Sequence, residues 1–170
     1  SVDDLDKVAV TVGPGSFTGI RIGIAIAKAL VFKKDIKMTA MNTLDLLAYE
    51  TAYKGKILSL IDARKERAYY ALYENREKIS EYSDGELREF LEKYKEDEIL
   101  FTGDASYIYK EIIEEIMGSK AKFINKARVF PRAGILAERA VDLEEVNSVI
   151  LEPYYHSKTQ AEREKELKSK

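Results

Sequence analysis

Val8-Ala9-Val10-Thr11-Val12-Gly13-Pro14-Gly15-Ser16-Phe17-Thr18-Gly19-Ile20-Arg21-Ile22-Gly23 changes structural period part-way along. Val8 to Val12 is a β-branched apolar run that stops at Gly13 and Gly15, the pattern of a buried strand. From Thr18 to Phe32, Ile20, Ile24, Ala27 and Val31 recur at helical spacing, and Ile22, Ile26, Ala29 and Leu30 make a second apolar face, which predicts a helix buried on two sides. A second strand is expected at Ile36 to Ala40. Asn42 then caps a helix with Asp45 in its first turn and Leu44, Leu47, Ala48 and Thr51 on one face. Strand, helix, strand, helix implies a parallel pair joined by a right-handed crossover.

Further along, Ile57–Ile61 and Ala68–Tyr73 read as strands, with Ala63, Arg64, Lys65 and Glu66 as the hairpin loop between them. Ser83 and Glu86 have the spacing of a capping box ahead of Leu87, Phe90, Leu91 and Tyr94. Ile99–Thr102 is a further strand. Gly103-Asp104 leads into a helix carrying Ile108, Ile112, Ile113 and Ile116, with Gly118 at its C-terminus. Pro131 suits the first turn of a last helix burying Ile135, Leu136 and Ala140. The stretch 159–170 is mostly charged and reads as a solvated tail.

The chain has 170 residues, 45% hydrophobic and 34% charged, which suffices for one ordinary domain or two small lobes. With no cysteine, a disulfide framework, thiolate metal ligation and a cysteine nucleophile are excluded, and a reducing, cytoplasmic setting is expected. No apolar run approaches the ~18 to 20 residues of a membrane span, so the reading is a protein without a membrane role. A net charge of −2 gives no global footprint for nucleic acid. With His156 as the only histidine, a paired-histidine metal site is excluded, and a serine–histidine triad would have to recruit the tail. No metal site is expected.

Three places are candidates for function. The loop Gly13, Pro14, Gly15, Ser16, Phe17, Thr18 precedes a helix, and exposed first-turn amides there would attract an anion or nucleotide; a tight turn docking the helix on the sheet is the structural alternative. It fails as a P-loop, because Ile20 follows Gly19, and as a nucleophile elbow, because Ser16 is flanked by Pro14 and Thr18. As a dinucleotide fingerprint it has one residue too many before Gly19 and no acidic partner at Met41-Asn42. Next, Gly19, Gly23 and Ala27 fall at steps of four and allow another helix, of this chain or a second one, to approach closely. Finally, Asp62 and Arg64 stand at a strand end that could border a cleft, or could form a salt link that holds the turn.

The run Val12 to Gly23, followed by Ala25, Ala27 and Lys28, resembles the signature of the TsaB (YeaZ-like) family almost residue for residue. Asn42-Thr43-Leu44-Asp45, Ile61-Asp62-Ala63-Arg64-Lys65 with Tyr69, Gly103-Asp104 and Pro153-Tyr154-Tyr155 are similar to its later motifs, so the likeness spans nearly the whole chain. The resemblance implies an α/β fold of actin-like (RNase H-like, ASKHA) lobes, with mixed sheets flanked by helices: 1–53 as the first lobe, 54–158 as the second and 159–170 as tail. The family ordinarily opens with a strand hairpin and a helix that have no counterpart before Val8, and Ser1 is not an initiator, so the first lobe is expected to be incomplete at its N-terminus.

The resemblance also implies a function. Members are non-catalytic partners of the TsaD-like catalytic subunit, joined by the TsaE-like ATPase, in the complex that installs threonylcarbamoyl on the tRNA adenosine next to the anticodon. Carried onto this chain, Gly19, Ile20, Arg21, Gly23, Ile24, Ala27 and Lys28 would form the partner-contact helix, with homodimers when the partner is absent. No cofactor is expected to be intrinsic; ATP or ADP would bind at the complex or interface, and tRNA only through the complex. Two rivals stay open: a nucleotide-binding actin-like phosphotransferase or ATPase, and a glycoprotease-type peptidase.

Overall fold

The computed structural model describes residues 1–155, so the charged tail 159–170 and His156 lie outside the described residues. Two β-sheets carry the fold. In the first, β1 (Lys7–Thr11) and β2 (Lys37–Met41) pair in parallel, Val8 opposite Met38 and Val10 opposite Ala40, and the 15-residue α1 (Phe17–Val31) makes the crossover. Its inner stripe, Ile24, Ala27 and Val31, closes over Val10 and Met38 as one buried cluster.

α2 (Thr43–Tyr49) starts where its cap was expected: the Asn42 carboxamide oxygen accepts the Leu44 N–H at 2.8 Å. The helix lies between the two sheets. Leu44, Leu47 and Ala48 turn to the second sheet, whereas Leu46 packs with Met41 and Leu136. The second sheet is built on β3 (Lys56–Asp62), flanked by antiparallel β4 (Arg67–Glu74) and parallel β7 (Ile99–Thr102), with β8 (Ala121–Phe123) beyond β7. Two short strands, β5 (Glu77–Lys78) and β6 (Ser83–Glu86), add to β4. Alternation along β3 sends Ile57 and Ile61 to the α2 face and Leu58 and Leu60 to the face covered by α3 (Leu87–Tyr94) and α5 (Lys110–Met117). At about 1.5–3 kcal/mol for each large apolar side chain, this double-sided core is the main source of stability.

Four expectations are corrected. α1 is buried on one side only: Ile22 and Ile26, on its second apolar face, are 54% and 56% exposed. Ser83–Glu86 is not a capping box, because its backbone is drawn onto β4, with Ser83 opposite Tyr70 and Glu86 opposite Arg67; Glu86 precedes α3 with no side-chain cap. The helix after Gly103 breaks into α4 (Ala105–Ile108) and α5 at Tyr109, whose backbone leaves helical geometry while its hydroxyl reaches Asp62. The last helix, α6 (Ala133–Arg139), starts after Pro131, with Arg132 at the cap position; Leu136 and Ala140 are buried as expected and Ile135 is half-buried. Gly118 does end α5, at φ +54°.

Arg132 is held by Glu50, whose side chain is fully buried: one carboxylate oxygen accepts the Arg132 backbone N–H at 3.0 Å and the other its guanidinium. Replacing Glu50 by alanine would strand that N–H and cut the tie between α2 and α6. Because Arg132 is 42% exposed and can reach water, we expect Glu50→Ala to cost about 2–3 kcal/mol, below the range for a fully buried pair, read as a lowered urea midpoint at unchanged m-value. Among the described residues no helix is long and apolar enough to cross a membrane.

Candidate functional site

The chain from 145 to 155 straps the first sheet. Val146 N–H donates to Met38 O at 2.8 Å, Lys37 pairs with Glu145, and Tyr154 N–H donates to Val12 O at 2.7 Å. Past Pro153 the strap runs beside α1. Phe17 stacks on Tyr155 with centroids 5.4 Å apart, the Arg21 guanidinium lies 4.0 Å from the Phe17 ring centre, and Arg21 Nε donates to the Tyr155 hydroxyl at 2.6 Å. Lys28 Nζ donates to Val149 O at 3.0 Å. A shallow groove of ≈ 360 Å³ lies between strap and helix, lined by Arg21, Ile24, Ala25, Lys28, Leu151 and Pro153.

This geometry allots the helix residues to different tasks. Ile24 and Ala27 are buried against the sheet, Ile20 is half-buried there, and a β-carbon on Gly23 would sit 4.0 Å from Val10 Cγ2. Gly23 and Ala27 therefore face β1 of the same chain, while Gly19, at the helix start, is exposed. Arg21 and Lys28 hold the strap. What remains open is the face carrying Ile22, Ile26 and Ala29, continued by Phe32 at 69% exposure.

The loop before α1 is closed around itself and the strap. Ser16 Oγ accepts the Gly19 N–H at 3.3 Å, taking up one of the first-turn amides, and Thr43 N–H donates to Gly13 O at 2.8 Å. Gly13 has φ +111°, and a β-carbon there would stand 3.0 Å from Tyr154 O and 3.1 Å from Ile20 Cδ1, so the strap rides directly over it. The Gly13–Pro14 peptide bond is cis, and Gly15 follows in the turn. Phe17 is half-exposed beneath Tyr155, and Thr18 is exposed.

At the β3–β4 hairpin the structure replaces the expected salt link. Asp62 Oδ1 accepts the Arg64 backbone N–H at 2.8 Å and the Tyr109 hydroxyl at 2.6 Å, and among the described residues Asp62 forms no ion pair with the Arg64 guanidinium. Asp62 N–H donates in turn to Asp104 Oδ1 at 3.1 Å. Burial first, then the bond to Asp62, pushes the Tyr109 hydroxyl up to about 12, and burial raises the Asp104 carboxyl. Above this base, Arg64, Lys65 and Glu66 stand at φ +64°, +54° and +57°, a left-handed run that costs non-glycine residues of order 1–2 kcal/mol each. Lys65→Gly should relieve one share and return part of it as unfolded-chain entropy, a net gain of about 0.5–1 kcal/mol and a melting temperature ~1–3 °C higher by calorimetry.

Sequence reasoning missed Tyr109, Asp104 and the Tyr155–Arg21–Phe17 stack as parts of these sites. Each joins positions far apart in the chain, so no local spacing announced it.

Comparison with known proteins agrees on one lineage. The model of the family TsaD, tRNA N6-adenosine threonylcarbamoyltransferase, matches residues 1–165. The tRNA threonylcarbamoyladenosine biosynthesis protein TsaB of Bacillus subtilis is 33% identical over 94% of this chain and 72% of its own length. The protein of the same name from Escherichia coli is 39% identical over 45% of this chain and 35% of its own length. The solved structure of YeaZ from Pseudomonas aeruginosa superposes with a TM-score of 0.71 at 22% identity, covering 91% of this chain and 75% of that one, which fits the actin-like α/β fold. With the Gly13–Gly23 signature between β1 and α1, and the Asp62-Ala63-Arg64 hairpin in place, this chain belongs to the TsaB (YeaZ-like) family.

Proposed function

We propose that the chain is a non-catalytic partner subunit of the complex that installs threonylcarbamoyl on the tRNA adenosine next to the anticodon, and that it acts by heterodimerising with the TsaD-type catalytic subunit through the open face of α1. The observation that carries this reading is the exposure of Ile22, Ile26 and Phe32 on a helix whose other side is fully packed. A partner helix laid along that face would bury them, with Arg21 and Lys28 at its edge to set orientation. A second copy of this chain is the competing occupant when the partner is absent.

The remaining assignments follow from the same reading. The subunit works in the cytoplasm, the TsaE-type ATPase joins the pair, and tRNA is engaged within the assembly. ATP or ADP belongs to the assembly, because in this chain Ser16 and the strap already occupy the surroundings of the first turn of α1. The division into lobes at 53 and 54 is part of this proposal, with α2 packed on both sheets. The discriminating experiment is transfer of threonylcarbamoyl to tRNA in a reconstituted mixture. The chain alone should give none, and the rate of the catalytic subunit should rise with added chain and level off at equimolar ratio. Transfer by the chain alone would reject the non-catalytic role.

A further inference from the structure

We infer that the β3–β4 hairpin, residues 63–66, is an RNA-backbone contact in which Arg64 and Lys65 each meet a phosphate. The inference rests on the tRNA-modification reading above and adds to it a surface on this chain.

The hairpin is rigid on its inner side. Ala63 N–H donates to Arg67 O at 3.0 Å, Arg67 N–H to Arg64 O at 3.1 Å and Leu87 N–H to Glu66 O at 3.1 Å, while Asp62 grips the Arg64 N–H and the Tyr109 hydroxyl from below. On the outer side Arg64 and Lys65 are exposed, and neither has an ion-pair partner among the described residues. The neighbouring cations are committed: Arg67 to Asp84 at 3.1 Å, and Arg88 to Glu115 at 3.3 Å and Glu66 at 3.9 Å. Three consecutive left-handed positions would be eased by glycine, yet they hold charged side chains in one fixed arrangement. A preorganised loop loses little freedom when it binds.

The chemistry of the tip selects the ligand. It carries no large apolar side chain, and protein–protein interface cores are depleted in lysine. Two adjacent cations with no ion-pair partner among the described residues, beside a Glu66 that pairs with Arg88 at 3.9 Å, suit phosphate oxygens. The hairpin also stands at the carboxyl ends of parallel β3 and β7, beside Gly103 and Asp104, where α/β sheets place ligands. With a net charge of −2 the chain has no long-range pull on RNA, so any contact must be local, as this one is.

The test is tRNA binding by fluorescence anisotropy, for the full-length protein alone and mixed with the catalytic subunit, across roughly 50 to 200 mM salt. Arg64→Gln with Lys65→Gln should lower the slope of log K against log salt by about 1.4–1.8, so the parent loses about ten-fold more affinity over that range than the variant does. Removing two charges at the C-terminal end of α3 by Lys93→Gln with Lys95→Gln should leave the slope unchanged. Arg64→Gly with Lys65→Gly should melt higher than the parent and still lose the slope, separating phosphate contact from fold maintenance. An unchanged slope in the hairpin variants, or no tRNA binding by either sample, overturns the inference. So does loss of catalytic-subunit binding with the slope intact, which would mark a protein contact. Calorimetry on the same samples decides the subunit reading separately: complex formation with an unchanged slope rejects only the hairpin, and a lowered slope without complex formation rejects only the subunit role.

Discussion

Gly103→Ala should destabilise the protein by more than about 4 kcal/mol, beyond the ordinary range for a single substitution, with a melting temperature lowered by roughly 10 °C or more. Gly103 has φ +86°, and a β-carbon there would lie 1.9 Å from the Leu60 carbonyl oxygen and 2.9 Å from its carbon. Those are backbone atoms of β3, so relief requires moving β7 from its place beside that strand. The same movement would disturb Asp104, which accepts the Asp62 and Ala105 N–H groups, and Ser106, whose hydroxyl donates to Gly103 O at 2.6 Å. Gly118→Ala is the matched comparison. Its φ of +54° with ψ −133° is almost confined to glycine, but nothing lies within 4 Å of the added carbon, so only the conformational cost of about 1–3 kcal/mol applies. Thermal unfolding of the two variants separates steric exclusion from backbone strain; equal losses would reject the role given to the Leu60 contact.

Ile22→Glu with Ile26→Glu should leave folding intact and weaken binding to the catalytic subunit by at least about 100-fold. Both side chains are more than half exposed in the free chain, so the exchange removes little burial from the core. In the docked state each isoleucine would contribute about 1.5–3 kcal/mol, and each glutamate would add a desolvation cost. Gly23→Leu cannot serve as this test. Gly23 is half-buried with Val10 4.0 Å from where a β-carbon would stand, so lost binding could not be told from a changed seating of α1 on β1. Melting curves and titration calorimetry on the double variant give the two readouts separately; a folded variant that binds as the parent does would move the interface off α1.

Much of this architecture could be read locally. Asn42 capped α2 because a short polar side chain before an apolar-periodic run has few other uses, and Gly118 ended α5 because a left-handed residue was needed there. The β3–β4 hairpin followed from period-two alternation on both sides of a polar loop. What could not be read was fixed by backbone partners rather than by side-chain pattern. β5 and β6 are short and carry no alternation, and β8 alternates over only three residues, too few to announce a strand; they are strands because β4 and β7 offer edges. Ser83-Asp84-Gly85-Glu86 satisfied a capping rule and was overruled by that edge. Tyr154 and Tyr155 meet Val12 and Arg21 across most of the chain, a pairing with no local trace. α1 shows a further limit: periodicity reported two apolar faces correctly but could not say which the chain itself would cover.

If α1 presents its open face to a catalytic partner, amide hydrogen exchange on the full-length protein, free and mixed with the TsaD-type subunit, will register the covered helix. Exchange should slow along Phe17–Val31 on mixing, with the strap residues 149–155 slowed beside it and α3 and α5 unchanged. Complex formation with protection elsewhere and α1 exchanging as in the free chain, or no protection anywhere, would contradict it.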